Sequence, residues 1–256
     1  MSVAVVQGAS RGLGLALAKT LLSRTQLSVV ATCRQPESSE AAMLRYIGDQ
    51  TLSKRLTILP LDVTDEATIR AAAKQVQYTY GDKPVKLFLN VAGILHAEKA
   101  IEQMDMHAAL ETFQINTLGP MASAKHFVPL LCQDANPEDP FLGEFSVFAS
   151  ISARVGSIGD NRLGGWYSYR CSKAAVNQFT RTLSREFNNR KRKSLAVSLH
   201  PGTVDTGLSA PFQANIAKSS LFTPDVAANH LFQVLQQLSA RHNGRFLAWD
   251  GKEIEY

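Results

Sequence analysis

Short, nearly continuous apolar runs alternate along this chain with longer stretches in which apolar positions recur every three or four residues. The runs at 2–7, 27–33, 55–61, 85–90, 144–151, 195–200 and 245–249 predict strands. The periodic stretches at 13–24, 39–53, 65–80, 101–131, 168–190 and 224–240 predict helices. A strand that is apolar at consecutive positions belongs to a sheet covered on both sides. Strand–helix alternation then predicts an α/β fold, a doubly wound parallel sheet of about seven strands with helices on both faces. No repeat or linker interrupts it, and 256 residues fit one domain spanning 1–256. Three segments are irregular: a surface connection at 133–143, a Gly-rich stretch at 157–166, and 207–222, expected to be a lid.

Two constellations carry chemistry. The first strand runs into Gly8-Ala-Ser10-Arg11-Gly12-Leu13-Gly14 and then a helical pattern. Glycines there let the backbone approach a pyrophosphate, and the helix N-terminus offers unpaired N–H groups to the anion. The second is Tyr169 and Lys173, four apart and therefore on one helix face. A free phenol titrates near pKa ~10, and bringing it to ~7 takes roughly 4 kcal/mol of preference for the phenolate. A cation at ~5 Å supplies about 3 kcal/mol at an effective dielectric of ~20. Tyr167 is six residues from Lys173 and off that face.

Together these residues resemble the short-chain dehydrogenase/reductase family, over nearly the whole chain. Asn90-Val-Ala92-Gly93 matches its turn after the fourth strand, Asn116 its helix asparagine, and Ser152 its serine-bearing segment. Pro201-Gly202 with Val204 and Thr206 matches the loop closing over the cofactor, and Asp62-Val63 the adenine-contact pair. Within the family, 152–170 is similar to the C-factor-like group of small carbonyl reductases. The resemblance implies a Rossmann-type fold and hydride transfer between a nicotinamide and a small-molecule carbonyl or alcohol. Tyr169 would be the general acid/base, Lys173 would tune it and hold the ribose, Ser152 would polarise the carbonyl, and Asn116 would orient Lys173. The serine is the weak point: the family's second serine falls at Ala153, the gap from Gly156 to Tyr169 is three residues longer than usual, and Ser150 is the alternative. A catalytically weak NADP-binding sensing or signalling protein is the competing reading, motivated by that missing serine.

NAD-selective folds place a carboxylate at the end of the second strand. Here that strand ends in Cys33-Arg34, and Arg34 with Arg11 suits a 2′-phosphate instead, so NADP(H) is expected. The net charge of +5 is concentrated only in Arg185–Lys193, at a helix end where cations are favourable, so no nucleic-acid partner is expected. No apolar run reaches membrane-span length, and three scattered cysteines (Cys33, Cys132 and Cys171, the last expected to be buried) suit a reducing compartment. With the first strand starting at residue 2, a cytoplasmic protein is expected. Apolar positions beyond one core stripe, including Phe127, Leu131, Phe179 and Leu183, suggest a homodimer or homotetramer. His96 and His200 read as structural, and Trp166 as either pocket wall or core.

Overall fold

The computed structural model describes residues 2–81, 83–131, 140–215, 217 and 220–256. Cys132, most of the connection at 133–143 and Ile216 of the expected lid lie outside the described residues. Seven strands form one parallel sheet: β1 (Val3–Gln7), β2 (Ser28–Cys33), β3 (Leu56–Pro60), β4 (Val85–Asn90), β5 (Ser146–Ile151), β6 (Ser194–His200) and β9 (Phe246–Ala248). Their order is β3-β2-β1-β4-β5-β6-β9, a Rossmann-type arrangement with β1 paired to β2 on one side and β4 on the other. The chain runs outward from β1 through β2 to β3 and then returns to lay β4 on the other side of β1. The crevice this reversal opens at the carboxyl ends of the strands is where such folds take ligands.

Alternate residues of each strand feed different cores. Ala4 and Val6 pack beneath α1 (Gly12–Arg24), α2 (Pro36–Ile47) and α8 (Pro224–Gln236). Val3 and Val5 pack with α4 (Glu66–Tyr80), α6 (Gly119–Phe127) and α7 (Tyr167–Asn189). Burial on both faces is why the strands read as continuous apolar runs. Within α7 the buried positions 168, 169, 172, 173, 176, 177, 180, 183, 184 and 187 trace one helical stripe. Cys171 is exposed, correcting the expectation that it is buried. Two residues from both Tyr169 and Lys173, it points to the opposite side of the helix.

The stretch at 101–131 departs from the single helix expected. It comprises a 3₁₀ turn (Ile101–Gln103), α5 (Met106–Phe113), a π turn (Gln114–Leu118), α6 and a second 3₁₀ turn (Val128–Leu130). At 39–53, Gly48 with φ +72° ends α2, and Asp49 caps the short α3 (Gln50–Ser53) by accepting from the Thr51 and Leu52 N–H groups. Two short strands were not expected, β7 (Thr203–Val204) and β8 (Leu221–Phe222), which pair with each other. Phe127, Leu131 and Leu183 are buried in the core and Phe179 packs against it, so these are not the free face expected of them. The apolar side chains left outside on α5, the π turn and α6 are Met106, Leu110, Leu118 and Met121. No described helix is long and apolar enough to cross a membrane.

Candidate active site

A cleft of about 1000 Å³ opens over the carboxyl ends of β1, β2, β4, β5 and β6. Its two ends have different chemistry. At one end lies the glycine turn. Gly8 sits at φ +84° against Ala92, where a Cβ would come within 2.7 Å of the Ala92 nitrogen. At Gly14 a Cβ would lie 2.2 Å from the Gly8 carbonyl oxygen, so α1 can rest on the turn only without a side chain there. The residue preceding α1, Arg11, makes no side-chain cap, and the first turn of α1 carries no acid. Its N–H groups therefore remain available to an anion. Arg11 and Arg34 line the same end, as do Ser10, Gly12 and Leu13. Asp62 and Val63 form the adjoining wall, with the Asp62 carboxylate accepting from the N–H (2.9 Å) and hydroxyl (2.7 Å) of Thr64. A concave, glycine-floored, cationic surface of this kind fits the diphosphate and 2′-phosphate of a dinucleotide.

At the other end, Tyr169 and Lys173 face the cleft from the first turns of α7, with Nζ of Lys173 5.7 Å from the tyrosine ring centroid. Nζ donates to the Ile151 carbonyl oxygen at 2.8 Å. Both side chains are buried, and burial acts on each in the direction that opposes charge. It pushes the Tyr169 phenol above its ordinary range, against the sequence-based expectation of a lowered value, and brings Lys173 down to about 8. At pH 7 a lysine titrating near 8 still carries its charge beside the phenol.

Asn116 stands behind this pair, in the π turn. Its side chain accepts from the Ile94 N–H (2.9 Å) and donates to the Ile94 carbonyl (2.9 Å) and to the Ser172 hydroxyl (3.1 Å). Ser172 in turn donates to the Tyr169 carbonyl. The extra residue of the π turn aims Asn116 at both the Ile94 loop and α7, and π bulges concentrate at functional sites for such reasons. Gly93 fits between them, where a Cβ would lie 3.2 Å from Asn116 Oδ1 and 3.5 Å from Lys173 Nζ.

Of the serine candidates, Ser152 lines the cleft and its buried hydroxyl has no partner among the described residues. Ser150 lies beneath the cleft floor, accepting from Asn90 Nδ2 at 3.2 Å. Asn90 is thus turned toward Ser150, away from the cleft where the sequence put it, while Ala92 and Gly93 line the cleft. Pro201, Gly202, Val204 and Thr206 line it on the far side, with Thr206 Cγ2 3.1 Å from where a Gly12 Cβ would be. Leu208 and Phe212, from the expected lid, reach the cleft as well.

One side chain takes the first of its two expected roles, and two others carry more than the sequence suggested. Trp166 is a cleft wall, its ring 4.8 Å from Phe212 and 6.3 Å from Tyr169. His200 also lines the cleft; burial, reinforced by the Arg154 charge, lowers it to about 4, and its Nδ1 has no partner among the described residues. Arg154, a third cleft arginine, is paired to Asp160 at 3.1 Å. Spacing gives no signal for His200 or Arg154, because the fold brings them together from the end of β6 and from the turn after β5. His96 is structural as expected, held to the Thr112 hydroxyl at 3.0 Å.

Comparison with known proteins agrees with this layout. The sequence profile of the short chain dehydrogenase family matches residues 2–217. A 1-hydroxy-2-glutathionyl-2-methyl-3-butene dehydrogenase from a Rhodococcus species is 29% identical over the whole of both chains. The C-signal protein of Myxococcus xanthus is 32% identical over 68% of this chain and 93% of its own. Among solved structures, the NADPH-bound carbonyl reductase from chicken fatty liver superposes with a TM-score of 0.86 at 34% identity, over 100% of this chain and 98% of that one.

Proposed function

The chain belongs to the short-chain dehydrogenase family, and on that premise we propose that it is an NADP(H)-dependent oxidoreductase interconverting a carbonyl and an alcohol, with Tyr169 as general acid/base. The observation that carries the reading is the single cleft joining an anion-receptive glycine turn to a buried tyrosine–lysine pair. A bound reduced nicotinamide supplies a hydride to the carbonyl carbon. Tyr169 gives its phenolic proton to the carbonyl oxygen, and the adjacent Lys173 charge stabilises the phenolate left behind. The Ser152 hydroxyl, which has no partner among the described residues, donates a hydrogen bond to the same oxygen and draws charge onto it. Asn116 holds the Ile94 wall and α7 together around the pair.

Arg34 and Arg11 support the choice of NADP(H): Arg34 rather than a carboxylate stands at the end of β2, and a guanidinium takes a phosphate in bidentate fashion. The carbonyl reductase from chicken fatty liver, solved with NADPH bound, points the same way. The substrate wall of Ile94, Leu95, Trp166, Leu208 and Phe212 favours an apolar small molecule. A second reading, a weakly catalytic NADP-binding signalling protein, draws on Ala153 at the family's second serine position and on the similarity to C-signal.

The test is oxidation of NADPH and of NADH against a panel of aldehydes and ketones, with Tyr169→Phe as control. Turnover with NADPH that Tyr169→Phe abolishes is the expected result. NADPH binding without turnover across the panel would reject the reductase in favour of the second reading.

A further inference from the structure

Glu98 is buried, yet it belongs to neither the acid/base pair nor the dinucleotide end of the cleft. It comes from the loop after β4 and reaches the start of α7 in two ways. Its Oε1 accepts a hydrogen bond from the hydroxyl of Ser168, the second residue of that helix. Its backbone carbonyl accepts from the Trp166 N–H at 2.6 Å. The other carboxyl oxygen, Oε2, is buried with no partner among the described residues. A carboxyl group so placed is expensive to bury, so its position calls for a compensating role.

The chain it holds is unusual. Gly164, Gly165 and Trp166 are consecutive residues in the left-handed region, at φ +62°, +66° and +50°. Glycine takes this conformation freely, but a bulky side chain such as tryptophan is strained there. Trp166 is also the residue preceding α7, and it offers no side-chain cap. The first turn of α7 contains no acid of its own. Glu98 places an acidic group at that turn, where the helix dipole favours negative charge. The segment it fixes is the one that sets Trp166 against Phe212 and beside Tyr169.

We infer that Glu98 is a positioning residue: its carboxyl and carbonyl clamp the left-handed turn at 164–166 to the loop after β4, and so hold Trp166 as the substrate-side wall beside Tyr169. The kinetic consequence rests on the reductase reading; the conformational one does not. The clamp acts at the substrate end, so cofactor affinity stays out of its reach.

The experiment uses the full chain in a Trp249→Phe background, which leaves Trp166 as the one tryptophan of the two in the sequence. Acrylamide quenching of Trp166, NADPH binding by its own fluorescence, and steady-state kinetics on a turned-over ketone are compared for Glu98→Ala and Glu98→Gln. Glu98→Ala is expected to expose Trp166 to quencher and to lower kcat/KM for the ketone on the order of 10–100-fold, with NADPH affinity unchanged. Glu98→Gln keeps an acceptor for Ser168 and is expected to recover most of both losses. Ser168→Ala removes the same bond from the helix side, is expected to resemble Glu98→Ala, and carries the test if Glu98→Ala does not fold. Wild-type quenching in Glu98→Ala or Ser168→Ala would overturn the clamp. So would loss of NADPH affinity in parallel with ketone kinetics, which marks general destabilisation. Quenching and NADPH binding need no turnover, so a failed reductase reading leaves the clamp decided by them.

Discussion

Asn116→Ala removes a side chain that is almost wholly buried and makes three hydrogen bonds, two to the backbone of Ile94 and one to Ser172. At about 1 kcal/mol net for each, the direct loss is about 3 kcal/mol. Stranding the Ile94 N–H and carbonyl without water adds to that figure, because a buried unsatisfied group forfeits its solvation as well. For a chain of this size a loss of about 3 kcal/mol lowers Tm by about 6–12 °C. The informative companion is Asn116→Asp, which has the same shape. It still accepts from the Ile94 N–H, but it sets an acceptor oxygen against the Ile94 carbonyl in a site with little solvent to screen the repulsion. Asn116→Asp is therefore expected to be at least as damaging as Asn116→Ala. Urea denaturation at pH 7, read as the shift in midpoint at constant m, checks both. A loss below about 1 kcal/mol in Asn116→Ala, or an Asp variant close to wild type, would refute the claim that donor and acceptor roles here matter more than volume.

Gly14→Ala sets two effects against each other: alanine favours a helix by about 1 kcal/mol, but its Cβ would sit 2.2 Å from the Gly8 carbonyl oxygen. The clash is with backbone and cannot be relieved by a rotamer, so a lower Tm and weaker NADPH binding by calorimetry are expected; a raised Tm would show that α1 tilts away freely. Arg34→Asp is expected to weaken NADPH about 10–100-fold, the worth of one charge-assisted hydrogen-bonded contact, and to leave NADH binding no weaker; equal losses for both cofactors would remove Arg34 from the 2′-phosphate. His200 titrates near 4 when folded and near 6.5 when unfolded, so the unfolded chain binds the extra proton between those values. Stability is expected to fall by up to about 3 kcal/mol as pH drops from 6.5 to 4, and His200→Gln to flatten that slope relative to wild type; parallel curves for the two proteins would remove His200 from the acid sensitivity.

The strands were legible because a parallel sheet buried on both faces demands continuous apolar runs. Tyr169, Lys173 and the glycine turn were legible because each sits within a single element whose geometry fixes its spacing. What stayed hidden depends on contacts between elements. The break at 114–118 is made by Asn116 reaching for Ile94, and a periodicity of three or four does not register one extra residue. The pairing of β7 with β8 involves two residues on each side, too short for any alternation to show. Glu98, His200 and Arg154 are single polar residues in loops or at strand ends, and only the fold gives them neighbours. The Tyr169 pKa went the other way because the spacing argument counted the cation and left out the burial.

The order β3-β2-β1-β4-β5-β6-β9 has a consequence for when the molecule becomes competent. Every pairing in a parallel sheet spans a crossover, and β1, an interior strand, waits for β4, which begins at residue 85, to gain its second neighbour. The cleft is assembled from residue 7 at one extreme to Pro224 at the other. A chain emerging N-terminus first therefore has the residues of its glycine turn well before it has those that complete the pocket. Sheets dominated by such distant pairings form slowly and leave apolar edges uncovered meanwhile. A dinucleotide that binds only the finished cleft would draw the late steps forward by mass action, making cofactor supply a determinant of how much chain reaches the folded state.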